Sequence, residues 1–301
     1  MRAVVFAYHN VGVRCLQVLL ARGVEVALVV THRDNPAEQI WFESVAALCA
    51  EKHIRCVMPD DPATDALFDQ VRDAAPDCIF SFYYRHMLPV RLLELAPSGA
   101  FNMHGSLLPK YRGRVPINWA VLHGEQSTGA TLHEMAAKPD AGAILAQTAV
   151  PILPDDTAYQ VFGKVVVAAE MTLWNALPDL LEGRARRLTN DLAQGSYFGG
   201  RTPADGRIDW QQPAQTIYNL HRAVAPPYPG AWTMIDDTTF IIGSARLSDR
   251  SFGDLPAGLA VVDNHIFGIG GDGRAIQILT LLRDGQPITA DQLQQMLRNP
   301  H

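Results

Sequence analysis

Through the first hundred residues, short and nearly unbroken apolar runs alternate with stretches whose apolar positions recur every three or four residues. The unbroken runs are Ala3-Val4-Val5-Phe6-Ala7, Glu25 to Val30, Arg55-Cys56-Val57-Met58, Asp77 to Phe82 and Ala100 to His104. Their β-branched and aromatic content predicts buried strands. The helically spaced stretches predict helices over Val11 to Arg22 (closed by Gly23), Pro36 to Lys52, Thr64 to Ala75 and Pro89 to Leu95. Strands apolar on both faces, alternating with helices, predict an α/β fold with a doubly wound, mostly parallel sheet. Such sheets bind ligands beyond the carboxyl ends of their strands. Two strands run into polar sequence there, one into Tyr83-Tyr84-Arg85-His86 and the other into Asn102-x-His104-Gly105-Ser106.

The pattern changes near residue 190. Gln194 to Gly206 is rich in glycine and polar residues, and a linker is expected over 190–206. Residues 1–189 are expected to form the first domain. Residues 207–301 carry a helical stretch (Pro213 to Val224) and then short apolar runs broken by Asp-Asp, Gly-Asp and Asp-Asn turns, which predicts a small OB-like β-barrel.

Composition narrows the classes. Of 301 residues 48% are hydrophobic and 19% charged, which fits a globular chain with a sizeable core. The net charge of −6 gives no general attraction to nucleic acid or to an anionic membrane. Cys15, Cys49, Cys56 and Cys78 form no C-x-x-C pair and no zinc-ligand spacing, so buried free thiols in a reducing compartment are expected. The N-terminus meets His9 and Asn10 too soon for a signal peptide, and no apolar run approaches the roughly 20 residues of a membrane span. The expected location is the cytoplasm.

The chemistry concentrates in Ala100 to Trp119 (AFNMHGSLLPKYRGRVPINW). Asn102 and His104 stand two apart, so on a strand they share a face. At a strand end that face looks into the crevice. An imidazole exchanges protons near neutral pH, and an amide N–H can stabilise an oxygen that gains negative charge. Asp140 follows His104 by 36 residues, in Lys138-Pro139-Asp140-Ala141-Gly142. A carboxylate beside an imidazole would orient it and favour its charged form. The Val11-Gly12-Val13 stretch lacks the glycine spacing of a dinucleotide loop.

Asn102-x-His104-x-Ser106-Leu107-Leu108-Pro109, joined to Asp140-x-Gly142, resembles the signature of the folate-dependent formyltransferases. The resemblance runs over nearly the whole chain. It is nearest to the formyltransferase half of bifunctional enzymes of lipid A modification, which formylate UDP-4-amino-4-deoxy-L-arabinose and decarboxylate UDP-glucuronic acid. Carrying it are FAYHNVG (6–12), THRDNPAE (31–38), FSFYYRHML (80–88), NMHGSLLPKYRGR (102–114), DAGAI (140–144) and RRLTN (186–190). The resemblance implies 10-formyltetrahydrofolate as formyl donor and no metal. By it, His104 would shuttle protons, Asn102 would stabilise the oxyanion and Asp140 would raise the pKa of His104. His86, Met87 and Leu88, with Arg114 and the loop Ala136, Ala137, Lys138, Pro139 and Asp140, would hold the folate. Tyr83, Tyr84, Tyr111 and Arg112 are candidate acceptor contacts. A chain ending at His301 has no room for the decarboxylase half, so another polypeptide is expected to perform that step.

The acceptor is open between classes. A methionyl-tRNA formyltransferase needs basic residues after the second strand, whereas residues 33–43 hold one basic residue and three acidic ones. A small-molecule acceptor is therefore expected, a nucleotide-linked amino sugar such as UDP-4-amino-4-deoxy-L-arabinose, which would tie the protein to lipid A modification and polymyxin resistance. The alternatives are another dTDP- or GDP-linked amino sugar, methionyl-tRNA, hydrolysis of the formyl donor, or a folate-binding scaffold without turnover.

Overall fold

The computed structural model describes residues 1–36 and 38–298. Ala37, inside the expected helix over 36–52, and residues 299–301, at the end of the expected barrel, lie outside them. The elements in chain order are β1 (Arg2–Ala7), α1 (His9–Ala21), β2 (Glu25–Val30), α2 (Val45–Glu51), β3 (Cys56–Val57), α3 (Asp65–Asp73), β4 (Cys78–Phe82), α4 (Val90–Leu93) and β5 (Ala100–His104). There follow β6 (Arg112–Gly113), α5 (Pro116–Leu122), β7 (Ser127–Glu134), β8 (Ile144–Pro151), α6 (Ala158–Leu181) and β9 (Tyr197–Phe198). The last elements are α7 (Ala214–Val224), β10 (Ala231–Ile235), β11 (Thr238–Ser251), β12 (Gly258–Val262), β13 (His265–Ile269), β14 (Arg274–Arg283), β15 (Gln286–Ile288) and α8 (Ala290–Arg298).

Two compact units emerge. The first contains residues 1–116, 127–151 and 163–199. Its seven-stranded sheet has the order β3-β2-β1-β4-β5-β7-β8. The pairs from β3 to β5 are parallel, while β7 and β8 are antiparallel additions. Apolar runs without alternation are explained by cover on both faces. Val4, Phe6, Leu28 and Val30 pack with Leu67 and Val71 of α3 in one cluster. Ala3, Val5 and Val29 point the other way and are equally inaccessible. Each such side chain contributes roughly 1.5–3 kcal/mol by leaving water.

Helix boundaries follow side-chain caps. Thr64 accepts from the Leu67 N–H at the start of α3, and Ser44 from the Ala47 N–H at the start of α2. The helix expected over 36–52 shrinks to α2. Its first half is drawn away by tertiary contacts: Phe42 stacks on His9 with ring centroids 3.9 Å apart, the Tyr8 hydroxyl donates to Asp34 (2.9 Å), and Arg85 grips Glu38 through two bonds of 2.9 Å. Helical periodicity over 36–44 thus came from side chains recruited to the carboxyl end of β1.

The second unit contains residues 117–126, 152–162 and 200–301. Its antiparallel sheet runs β10-β11-β14-β13-β12, with β15 added to β14, a half-barrel. The two inserted segments belong here because polar groups of α7 hold them. The Tyr218 hydroxyl donates to Asp155 (2.8 Å), Arg222 donates to the Asp156 carbonyl (3.1 Å), and Asn118 donates to the Ala223 carbonyl (2.6 Å). Within the stretch expected as a linker, residues 190–199 group with the first unit and carry β9. Among the described residues no helix is long and apolar enough to cross a membrane.

Two glycines test this packing. A Cβ on Gly129 would lie 2.2 Å from the Thr148 carbonyl oxygen across β7 and β8, whereas one on Gly163, exposed in α6, meets nothing within 4 Å. Gly129→Ala is expected to destabilise by about 1–3 kcal/mol through overpacking. Gly163→Ala is expected to stabilise by about 0.5–1 kcal/mol by removing backbone freedom from the unfolded chain. Denaturant midpoints at unchanged slope measure both; the same sign for the two would contradict the packing described.

Candidate active site

The sheet order places its reversal between β1 and β4, and β5 ends next to that point. At its end Asn102 pairs in register with His133 of β7, and His104 with Thr131. The i, i+2 pair of β5 therefore faces an i, i+2 pair of β7. After His104 the chain turns through Gly105, where a Cβ would lie 2.1 Å from the Tyr83 hydroxyl. The turn is then tied down by buried polar bonds. Thr131 Oγ1 donates to the Ser106 carbonyl (2.6 Å), Ser106 Oγ donates to the Lys110 carbonyl (2.7 Å), and Gln147 Nε2 donates to the Leu108 carbonyl (2.9 Å).

Asp140 reaches this pair from the loop between β7 and β8. Its Oδ1 lies 3.5 Å from His104 Nδ1 and 3.4 Å from His133 Nε2, and its Oδ2 accepts from the Gly113 N–H at 2.9 Å. Its side chain is only 12% exposed. The structure thus brings Asn102, His104 and Asp140 together, and adds His133 as a fourth member. His133 Nδ1 lies 2.8 Å from the Glu134 carbonyl, which requires a proton on that nitrogen. Nε2 lies 3.4 Å from Asp140 Oδ1 and 3.1 Å from Asn102 Nδ2; it donates to the carboxylate when protonated, and in the neutral ring it accepts from the amide. That bond uses one of the two amide N–H groups and leaves the second for an oxygen in the crevice.

Burial and the Asp140 charge act on His104 in opposite directions. Burial of His104 pushes its pKa below the ordinary histidine value, and His133 adds to that; Asp140 and the Tyr111 carbonyl pull the other way without reversing it. Asp140 thus raises the pKa of His104 as expected, but burial outweighs it and the net shift is downward. Both ring nitrogens face acceptors, since Nε2 lies 2.8 Å from the Tyr111 carbonyl. Hydrogen bonding thus favours the imidazolium while burial favours the neutral ring, a balance suited to carrying a proton both ways. For Asp140, burial alone would raise the pKa, but the imidazoles of His104 and His133 and the Gly113 N–H hold it well below the usual carboxylate range.

The other expected residues divide. Ala136 and Ala137 line a cavity of about 310 Å³ with Val90, Leu93, Glu94, Ala100 and Met135. A mostly apolar lining that also holds the carboxylate-bearing Glu94 and Glu134 suits a flat heterocycle with polar edges. His86, Met87, Lys138 and Arg114 are exposed and Pro139 half-buried, and none lines that cavity. Leu88 is sealed in the core, so only its main chain can face a ligand. Tyr84 stacks on His32 at 4.1 Å between ring centroids, and Tyr111 stacks on Phe198 at 5.5 Å. Tyr83 has a left-handed backbone, with φ of 58°. Arg112 is buried, and its Nε and Nη1 find no hydrogen-bond partner among the described residues.

His133 is not among the residues expected from the sequence; the signal that points to it is the polar alternation Thr131-x-His133, the same period-2 pattern that marks Asn102 and His104. Asp140→Asn removes the group that raises the pKa of His104, so the pH at which its ring titrates is expected to move further down. Histidine NMR titration of the substrate-free protein measures this; an unchanged or higher midpoint would contradict it.

The Formyl transferase family pattern matches residues 1–177, and the pattern of the Formyl transferase C-terminal domain matches residues 201–298. Among solved structures, the fold is similar to that of WlaRD, a sugar 3N-formyl transferase studied in the presence of dTDP and 5-N-formyl-THF. The TM-score is 0.74 at 19% identity, over 95% of this chain and 98% of that one. It is also similar to an N-formyltransferase from Helicobacter canadensis in complex with folinic acid and dTDP-3-aminofucose, with a TM-score of 0.72 at 20% identity over 92% and 98% of the two chains. HypX from Aquifex aeolicus, in complex with tetrahydrofolic acid, gives 0.66 at 17% identity, over 98% of this chain but 47% of HypX. With a matched pattern that covers more than half of its length, the chain belongs to the formyl transferase family.

Proposed function

We propose that this formyl transferase uses 10-formyltetrahydrofolate to formylate the amine of a nucleotide-linked amino sugar. The observation that carries the reading is the meeting of Asn102, His104 and Asp140 at the end of β5, with the cavity beside Ala136 and Ala137 able to take a flat ring. The folate supplies a formyl group already activated by its N10 attachment. The chain has then to move protons and to stabilise charge. His104 takes the proton that the amine loses and returns one to the departing nitrogen. Asp140 keeps the charged ring within reach in energy, and the second N–H of Asn102 donates to the oxygen that gains charge.

The acceptor class rests on charge. Residues 33–43 are acidic and aromatic, and Glu38 is spent on Arg85. A tRNA enzyme would offer Lys and Arg to phosphate there. Arg112, buried and without a carboxylate partner among the described residues, is suited to one phosphate oxygen. The dTDP-3-aminofucose bound by the Helicobacter canadensis neighbour belongs to the same class, and WlaRD was studied with dTDP. UDP-4-amino-4-deoxy-L-arabinose is the acceptor expected from the sequence, and dTDP-linked amino sugars are the second reading favoured by those neighbours.

His104→Ala or Asn102→Ala is expected to lower kcat by roughly 10²–10³ while leaving the KM for folate nearly unchanged. Steady-state kinetics decide; near-normal turnover in either variant removes that residue from the chemistry. For the acceptor, loss of formyl donor is followed with UDP-4-amino-4-deoxy-L-arabinose, with dTDP- and GDP-linked amino sugars and with methionyl-tRNA. Formylation of a sugar and not of the tRNA is expected. Formylation of the tRNA alone would overturn the class, and reaction with only a dTDP or GDP sugar would overturn the UDP assignment within it.

A further inference from the structure

Asp140 has a left-handed backbone, with φ of 49°, a conformation that side-chain-bearing residues rarely adopt. The turn that contains it is pressed against β7, since a Cβ on Gly142 would lie 2.0 Å from the Glu134 carbonyl oxygen. Among the described residues, the turn is held from its other side by one side-chain amide. Nδ2 of Asn190, a residue 9% exposed, donates to the carbonyls of both Asp140 and Gly142, each at 3.0 Å. Both partners are acceptors only, so the NH₂ end must face them and the amide orientation is settled. The neighbouring chain keeps Asn190 in register. Ile144 and Leu188 exchange main-chain bonds of 2.9 and 2.8 Å, and Arg187 pairs with Glu134 at 2.5 Å.

We propose that Asn190 is a positioning residue that closes the turn 140–142 and so keeps the Asp140 carboxylate between His104 and His133. The proposal rests on the reading of His104 as the proton carrier, and it works through Asp140 without contact to substrate. The groups that face His104 are Asp140 from the turn, His133 from β7 and the Tyr111 carbonyl from the loop after β5. Asp140 in turn faces both imidazoles and the Gly113 N–H. Without the Asn190 amide, two carbonyls lose their donor, the left-handed turn is free to relax, and the carboxylate leaves the imidazole. Misplacement of a catalytic group by about 1 Å can cost as much as 10²-fold in rate.

The test compares Asn190→Ala with the isosteric Asn190→Asp, which keeps the volume but sets an oxygen against two carbonyl oxygens. The expected result is a kcat lower by about 10-fold in N190A and about 10²-fold in N190D. In both, the His104 titration followed by NMR in substrate-free protein should move to lower pH. Adding N190A to Asp140→Asn should move that titration no further, as expected for residues that act through one another. Denaturant unfolding identifies any variant that does not fold, and N190S then replaces it. A wild-type titration and kcat in N190D would reduce the amide to packing and overturn the proposal; additive shifts in the double variant would do the same. The titration needs no acceptor, so an error in the acceptor leaves this test intact. If Asp140→Asn alone fails to move His104, the reading of the site itself is at fault.

Discussion

A carboxylate that is nearly withdrawn from water must be paired or neutralised, and Asp140 is paired. Its two oxygens are divided between two imidazoles and one main-chain N–H. Every neighbouring feature serves that arrangement. Strand β7 joins the sheet antiparallel beside β5, which sets His133 opposite Asn102. Gly113 offers its N–H from β6, where φ of 95° excludes a side chain without strain. The loop after β5 is anchored by Ser106, Thr131 and Gln147, so the Tyr111 carbonyl meets His104 Nε2. The resulting imidazole is pulled toward charge by its hydrogen-bond partners and away from it by burial.

The segment that follows α6 ties these loops together. Leu188 joins Ile144, Asn190 closes the Asp140 turn, the Ser196 hydroxyl accepts from the Tyr111 N–H, and β9 pairs with β6. A stretch with many small and polar residues thus acts as a strap over both loops that reach the site. Its glycine content permits close approach: a Cβ on Gly195 would lie 2.2 Å from the Pro109 carbonyl oxygen.

Periodicity made the sheet legible. Glu25 to Val30 and Ala100 to His104 emerge with the expected bounds, because strands covered on both faces leave unbroken apolar runs. The failure over 36–44 has a physical cause, since Trp41 and Phe42 pack with His9 and Tyr8 rather than on a helix face. At the site, Asn102 and His104 were legible from strand geometry, whereas the pairing of Asp140 came from the resemblance; no local rule connects residues so far apart. The direction in which Asp140 acts on His104 is legible in the motif, whereas the burial that sets the net direction is not. His133 and Asn190 were missed for different reasons. One sits in a short alternation that resembles any half-buried strand, and the other in a polar stretch where composition points to a linker and only tertiary hydrogen bonds assign a task.

The account stands on the claim that formyl transfer takes place against Asn102 and His104 at the end of β5. A crystal structure with 5-formyltetrahydrofolate, whose formyl group marks where the reacting carbon lies, tests it most directly. The account predicts the folate ring in the cavity beside Ala136 and Ala137, with the formyl group within about 3–3.5 Å of the His104 ring or the Asn102 amide. A folate bound with its formyl group away from both side chains would contradict it.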